Sequence, residues 1–259
     1  MRVLQVLLAS MVYALLCLPT ARADVITLVA DAWCPFNCAA NGEHPGLMVE
    51  TAREVFAAAG HDVLYVEVPW SRAIKQVREG RATAVLGAVH REVPDFVFPQ
   101  EPLGVVSNAF FVRAGEHWKY DGPQSLAGLR LGVVQDYDYG GELQDYIDGH
   151  ANDPGHVQFA LGEDPLATNI HKLLRGRIDV VVATEAVGRW AIRTLGVENW
   201  VAVAGDDGSE LELFIAFSPA LDESPEYARL LDEGVRRLRA SGRLAEILAA
   251  YGIRDWAAP

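Results

Sequence analysis

Cysteine is scarce in this sequence, basic residues are outnumbered, and beyond the first two dozen positions no apolar run is long. Three cysteines occur among 259 residues, too few for a zinc framework of four ligands at short spacings. The seven histidines are scattered without metal-ligand spacing, so neither a metal nor a cofactor is expected. There is no phosphate-binding glycine loop and no dinucleotide fingerprint, and no motif joins a nucleophile, a base and an orienting group. Lys+Arg number 22 against 35 Asp+Glu, a formal net charge of −13. This balance argues against nucleic acid and anionic membrane surfaces as partners, since both require a basic face. It suits a cationic or zwitterionic ligand, although most surface acids serve solubility.

The one long apolar stretch opens the chain. Arg2 is followed by the run Val3 to Leu18, then by Ala21-Arg22-Ala23. A positive start, a short apolar core and a small-x-small site describe an export signal, with cleavage before Asp24. The run is shorter than the ~20 residues that span a bilayer, and Leu16 before Cys17 does not suit lipid attachment. Residues 1–23 are therefore expected to be a signal peptide and the remainder a periplasmic protein with no membrane insertion. The leader carries only Arg2 and Arg22 as charges, so the mature part is two units more negative than the whole. It also keeps only Cys34 and Cys38, which in an oxidising compartment are expected to pair. So short a loop stabilises by only about 2 kcal/mol in the chain-entropy model, and its task is to shape the loop locally.

Hydrophobic periodicity reads as α/β. Val25 to Ala30 has strand character. Met48, Ala52, Val55, Phe56 and Ala59 share a helical face that begins near Gly46 and stops at Gly60. Val63 to Val68 predicts a strand, Pro69 to Glu79 a helix opened by proline, and Thr83 to Val89 a third strand. This β-α-β-α-β order predicts a mostly parallel sheet covered on both faces. A long extended run, Gly104 to Arg113, leads to a second unit of the same style. Its strands are placed at Leu131 to Val134, His156 to Ala160 and Asp179 to Ala183. Its helices are placed at Gly140 to Asp148, at Glu185 to Leu195, and after Asp164-Pro165, an N-cap followed by proline. Leu211 to Phe217 predicts a strand leading out, and two C-terminal helices follow. Two chain crossings, near Ala109 to Arg113 and Leu211 to Phe217, predict a hinge. On this reading lobe 1 comprises 24–111 and 214–259 and lobe 2 comprises 112–213, with a ligand cleft at the carboxyl ends of the strands.

Several segments then carry a resemblance. Gly46-Leu47-Met48-Val49-Glu50, Arg91 followed by Phe96, Phe98 and Pro99, and Ser125-Leu126-Ala127-Gly128-Leu129-Arg130-Leu131-Gly132-Val133 are three of them. Gly176-Arg177-Ile178-Asp179-Val180-Val181 and Gly242-Arg243-Leu244-Ala245-Glu246-Ile247 with Tyr251-Gly252 complete the set. In order and spacing they resemble family 3 of bacterial extracellular solute-binding proteins, the amino-acid type that serves ABC transporters. The resemblance covers essentially the whole mature sequence. It implies the type II periplasmic-binding-protein fold and ligand capture by lobe closure.

Site residues follow partly from the resemblance and partly from position at strand ends and helix starts. Arg91 matches an arginine that clamps the ligand carboxylate, for which a planar guanidinium fork is suited. The plainer account is a loop arginine paired with Glu92 or Asp95. Trp33 and Trp70, after the first two strands, and Tyr137 and Tyr139, after the first strand of lobe 2, stand where aromatic faces can hold a flat or cationic ligand. Core packing is the competing fate. Arg72 lies in the first turn of a helix, where a cation opposes the helix dipole, and so points to an anionic partner, either the ligand or Asp31. Thr184 stands where the family's amino-acid binders usually carry an aspartate for the ligand ammonium. Glu185 supplies the missing charge if it turns inward, and otherwise favours the helix N-terminus. The aspartates of Gln135-Asp136-Tyr137-Asp138-Tyr139 repel an anion unless they face solvent.

The function expected is therefore a non-enzymatic, monomeric receptor that delivers a small polar, amino-acid-like or cationic ligand to an ABC transporter permease. Two alternatives stand beside it. One is a dehydratase-like enzyme on the same fold, with Glu185 as general acid toward a small organic acid. The other is a ligand sensor for a membrane receptor.

Overall fold

The computed structural model describes residues 23–257; all of the expected signal segment except Ala23 lies outside them. The first half runs β1 (Val25–Ala30), α1 (Leu47–Ala58), β2 (Asp62–Glu67), α2 (Trp70–Arg78), β3 (Ala84–Ala88) and β4 (Gly104–Val106). There follow β5 (Asn108–Arg113), β6 (Leu131–Val134), α3 (Gly141–Gly149), β7 (Val157–Ala160), α4 (Pro165–Leu174), β8 (Val180–Thr184), α5 (Glu185–Thr194) and β9 (Val201–Asp206). The chain closes with β10 (Leu211–Phe217), α6 (Ser224–Ala240) and α7 (Arg243–Ala250). The strands form two five-stranded sheets, β2-β1-β3-β10-β4 and β7-β6-β8-β5-β9.

Each sheet has a parallel core and an antiparallel intruder. In the first, β1 pairs parallel with β2 and β3, and β10 pairs antiparallel with β3 and β4. In the second, β6 pairs parallel with β7 and β8, and β5 pairs antiparallel with β8 and β9. The pleat sends alternate side chains to opposite faces, and both faces are covered. Ile26, Leu28 and Ala30 of β1 pack with α1, while Val29 packs with Ala73 and Val77 of α2. Phe110 and Val112 of β5 enter one core of the second sheet and Phe111 the other. One apolar cluster is continuous from Phe56 and Phe217 beside the first sheet to Phe111, Leu173 and Val181 beside the second.

The crossings differ in position from expectation. β4 belongs to the first sheet and all of β5 to the second, so the chain changes sheet at Ser107, not within 109–113. The return lies between Asp206 and Leu211, ahead of β10, whose whole length joins the first sheet. Residues 108–111 and 211–213 thus pair with the opposite sheet from the one expected. The run 104–113 carries no glycine or proline after Gly104 to mark the switch. Strand β9 was not expected; Gly205, at φ 120°, and a register shift opposite Ala109 and Phe111 weaken its sequence pattern.

Two contacts explain motif residues that lie far apart. Tyr251 Oη accepts from Gly46 N at 2.9 Å and donates to Glu50 Oε1 at 2.5 Å. Gly46 has φ 111°, and a Cβ there would meet Asn37 Cα at 2.5 Å, so only glycine fits between α1 and the loop after β1.

Candidate functional site

A cleft of about 340 Å³ opens between the two sheets, lined from both. On the first side its wall begins at the carboxyl end of β1. Cys34 and Cys38 are disulfide-bonded across a turn in which Trp33 N donates to Asn37 O at 2.6 Å. Asn37 Nδ2 returns to Asp31 O, also at 2.6 Å. The turn lays the Trp33 ring against Gly87, where a Cβ would stand 3.4 Å from the indole. Trp70, the first residue of α2, donates from Nε1 to Glu92 Oε1 at 2.6 Å. Burial pushes the Glu92 carboxyl up to about 7; nearby Asp138 and Asp31 add to the rise, and Trp70 and Arg91 oppose it. Burial likewise raises Asp31 above the usual carboxylate range, partly offset by a hydrogen bond from Tyr137.

The second side contributes the loop after β6, the start of α4 and the end of β8 with one face of α5. Tyr137 Oη donates to Asp31 Oδ2 at 2.5 Å, joining residues from opposite sheets. Arg91 makes a second bridge: its Nε donates to Asp138 Oδ2 at 2.7 Å and its Nη2 to the Asp138 carbonyl at 3.3 Å. Asp164 accepts from Ala167 N at 2.9 Å as the cap of α4. Asn108 is buried and ties Tyr139 O at 2.8 Å to Asp207 Oδ2 at 2.7 Å.

Among the expected site residues, Trp33, Trp70, Arg91, Tyr137, Tyr139 and Thr184 line this cleft. Tyr139 also belongs to the core of the second sheet, and its hydroxyl accepts from Val134 N at 2.8 Å. Arg72 and Glu185 are not part of the lining. Two residues beyond Trp70, a helix has turned by about 200°, so α2 cannot present both Trp70 and Arg72 to the cleft, and Arg72 is exposed. Glu185 Oε1 accepts from Arg189 Nε at 2.7 Å, one turn along α5, which is the helix-terminus role and not the inward one. Arg91 pairs with neither expected acid: Asp95 is held by Arg78 at 2.7 Å. Sequence reasoning missed Asp31, Glu92 and Glu163 as lining acids, and left open whether Asp138 faces the cleft or solvent. Position gave a signal for Asp31 and Asp138, since both follow strands at their carboxyl ends.

Among the described residues, the lining carries five acids, Asp31, Glu92, Asp138, Glu163 and Asp164, against a single arginine. Among the described residues no group of His, Cys, Asp or Glu is arranged to hold a metal. The arrangement can desolvate a small solute between aromatic rings and present it with carboxylates.

Solved structures share this two-sheet architecture. A histidine kinase sensor domain similar to periplasmic binding proteins matches with TM-score 0.73 at 20% identity, over 90% of this chain and 98% of that one. A structure from work on glutathione import via GshT and the cystine ABC importer TcyBC of Streptococcus mutans matches with TM-score 0.72 at 19% identity, over 89% and 95%. The amino acid ABC transporter substrate-binding protein AbpA of Streptococcus pneumoniae, bound to L-arginine, matches with TM-score 0.68 at 15% identity, over 88% and 94%. At these identities the likeness establishes the fold, the type II periplasmic-binding-protein fold. No curated protein matches the sequence. The sequence profile of bacterial extracellular solute-binding proteins, family 3, matches residues 25–253 of the 259, and the chain belongs to that family.

Proposed function

We propose that this solute-binding protein captures a small cationic or amino-acid-like ligand between its two sheets and delivers it to an ABC importer. The observation that carries this reading is the composition of the cleft: five acids, one arginine already paired, and the rings of Trp33, Trp70, Tyr137 and Trp190. Carboxylates attract an ammonium or guanidinium group, and indole and phenol faces add cation–π contact once water is excluded. The AbpA structure, with a cationic amino acid bound, is in keeping with this choice. The chain acts outside the inner membrane as a monomer, after removal of residues 1–23. Its halves swing about Ser107 and the segment 207–210, and the ligand favours the closed form because only there does it touch both.

A thermal-shift screen over amines, amino acids, betaines and small organic acids tests the reading. A ligand at 100 times its Kd adds about 2.7 kcal/mol to the folded state, several degrees for a protein of this size. Cationic solutes are expected to raise the midpoint and organic acids to leave it unchanged; a screen in which only acids raise it overturns the proposal. Trp70→Ala, which removes both a ring and the hydrogen bond to Glu92, is expected to weaken binding at least tenfold while the unliganded midpoint changes little.

A further inference from the structure

Among the described residues the cleft lining holds one cation, Arg91, and it is already paired. Arg91 and Asp138 come from loops attached to different sheets, and they meet across the opening. Asp138 is held at both carboxylate oxygens: Oδ2 takes the Arg91 Nε proton at 2.7 Å, and Oδ1 accepts from Gly140 N at 2.8 Å. Gly140 is at φ +69°, and a Cβ on it would lie 2.7 Å from Arg91 Cζ. The guanidinium therefore lies directly against the Gly140 backbone, where an added Cβ would push it aside. Asp138 holds the guanidinium with one carboxylate oxygen at Nε and its main-chain carbonyl at Nη2, a charge-assisted pair at short distance.

A carboxylate on the ligand must then displace Asp138 and leave it unpaired beside Glu92 and Asp31. It finds no second basic side chain in the lining among the described residues. A cationic group meets the reverse situation, because the lining acids Asp31 and Glu92 accept their side-chain hydrogen bonds from neutral donors, Tyr137 and Trp70. Thr184, at the end of β8, adds no charge to recognise an α-amino group beside a carboxylate.

Resting on the cationic reading above, we infer that the ligand is an organic cation that lacks a carboxylate, with Asp138 serving as a built-in substitute for one. The class is that of primary amines, diamines and guanidines; the matching α-amino acids are rejected.

Matched pairs that differ only by the carboxylate provide the test. Titration calorimetry on protein purified after expression of the full-length chain would compare agmatine with arginine, cadaverine with lysine, and tyramine with tyrosine. In the wild type at least one amine is expected to bind tenfold or more tightly than its parent amino acid. Asp138→Ala frees Arg91, and is expected to strengthen the amino acid and bring the pair within about threefold. Circular dichroism melting checks that the variant is folded, and Asp138→Asn, which keeps the loop's shape, should move the ratio in the same direction. A wild type that prefers the amino acids overturns the inference and leaves the cationic reading intact. Preference for organic acids without a cation overturns both. A ratio unchanged in both Asp138 variants, or a wild type that binds none of the three amines, also overturns the inference.

Discussion

Glu92 is half-buried, and its neutral form is favoured first by that burial and then by Asp138 and Asp31. Its folded pKa of about 7 lies above the ordinary value of 4.5. The folded state therefore holds a proton that the unfolded chain has released between pH 4.5 and 7. Stability from this group is full below pH 4.5 and is lost as pH rises through 7. Glu92→Gln keeps an acceptor for Trp70 Nε1 and removes the charge. Melting curves are expected to coincide near pH 4.5 and to separate by pH 8, with the variant the more stable; equal midpoints at pH 8 would show that the carboxylate is not held at a cost. Bound cation favours the ionised form, so affinity for an amine should rise from pH 6 to pH 8 in the wild type and lose that slope in the variant. Residue identity alone did not reveal this role. Glu92 follows Arg91 directly and reads as its surface partner, yet Trp70 claims it from 22 positions away.

Among the elements, the turn after β1 and the helix that follows it act as one unit. The disulfide, the Trp33–Asn37 bridge and the Gly46–Tyr251 hydrogen bond fix where the Trp33 ring stands. Replacing both cysteines, Cys34→Ser with Cys38→Ser, is expected to cost about 2 kcal/mol in urea unfolding and to weaken ligand binding through Trp33. The far-UV spectrum should be unchanged, because no helix or sheet strand depends on the bond. A variant that loses stability without losing affinity would separate the loop from the site. The helices were legible to within one or two residues, since apolar stripes and punctuating residues such as Gly60, Asp164-Pro165 and Gly242 are local signals. Strand β9 was not, because its pairing with β5 is irregular and several of its side chains are only half-buried.

For the molecule as a whole, the two sheets repeat one strand order, and in each the fourth strand, β10 or β5, arrives from the other half of the chain. Two thin connections, at Ser107 and 207–210, then join bodies that meet through Tyr137 and Asp31, Arg91 and Asp138, and Trp190 beside Tyr251. Small-angle scattering with and without a saturating amine is expected to show a fall in the radius of gyration toward the value of about 18 Å for a compact chain of this length. An unchanged radius on binding would remove lobe closure from the mechanism.

What the sequence determined by itself was whatever rests on neighbours in the chain. The α/β alternation, the cysteine spacing and the run of short motifs that mark the family all depend on periodicity and composition within a few residues, and six of eight expected site residues reached the cleft wall on that basis. Which charges meet was decided only in three dimensions. Arg91 and Asp138 are 47 positions apart, and Tyr137 and Asp31 106 apart. Whether such groups bind a ligand or each other depends on how the two sheets face one another, and on helix phase, which turned Arg72 and Glu185 away. Ion pairing and desolvation vary steeply with distance and burial, and neither quantity is encoded in any short stretch of chain.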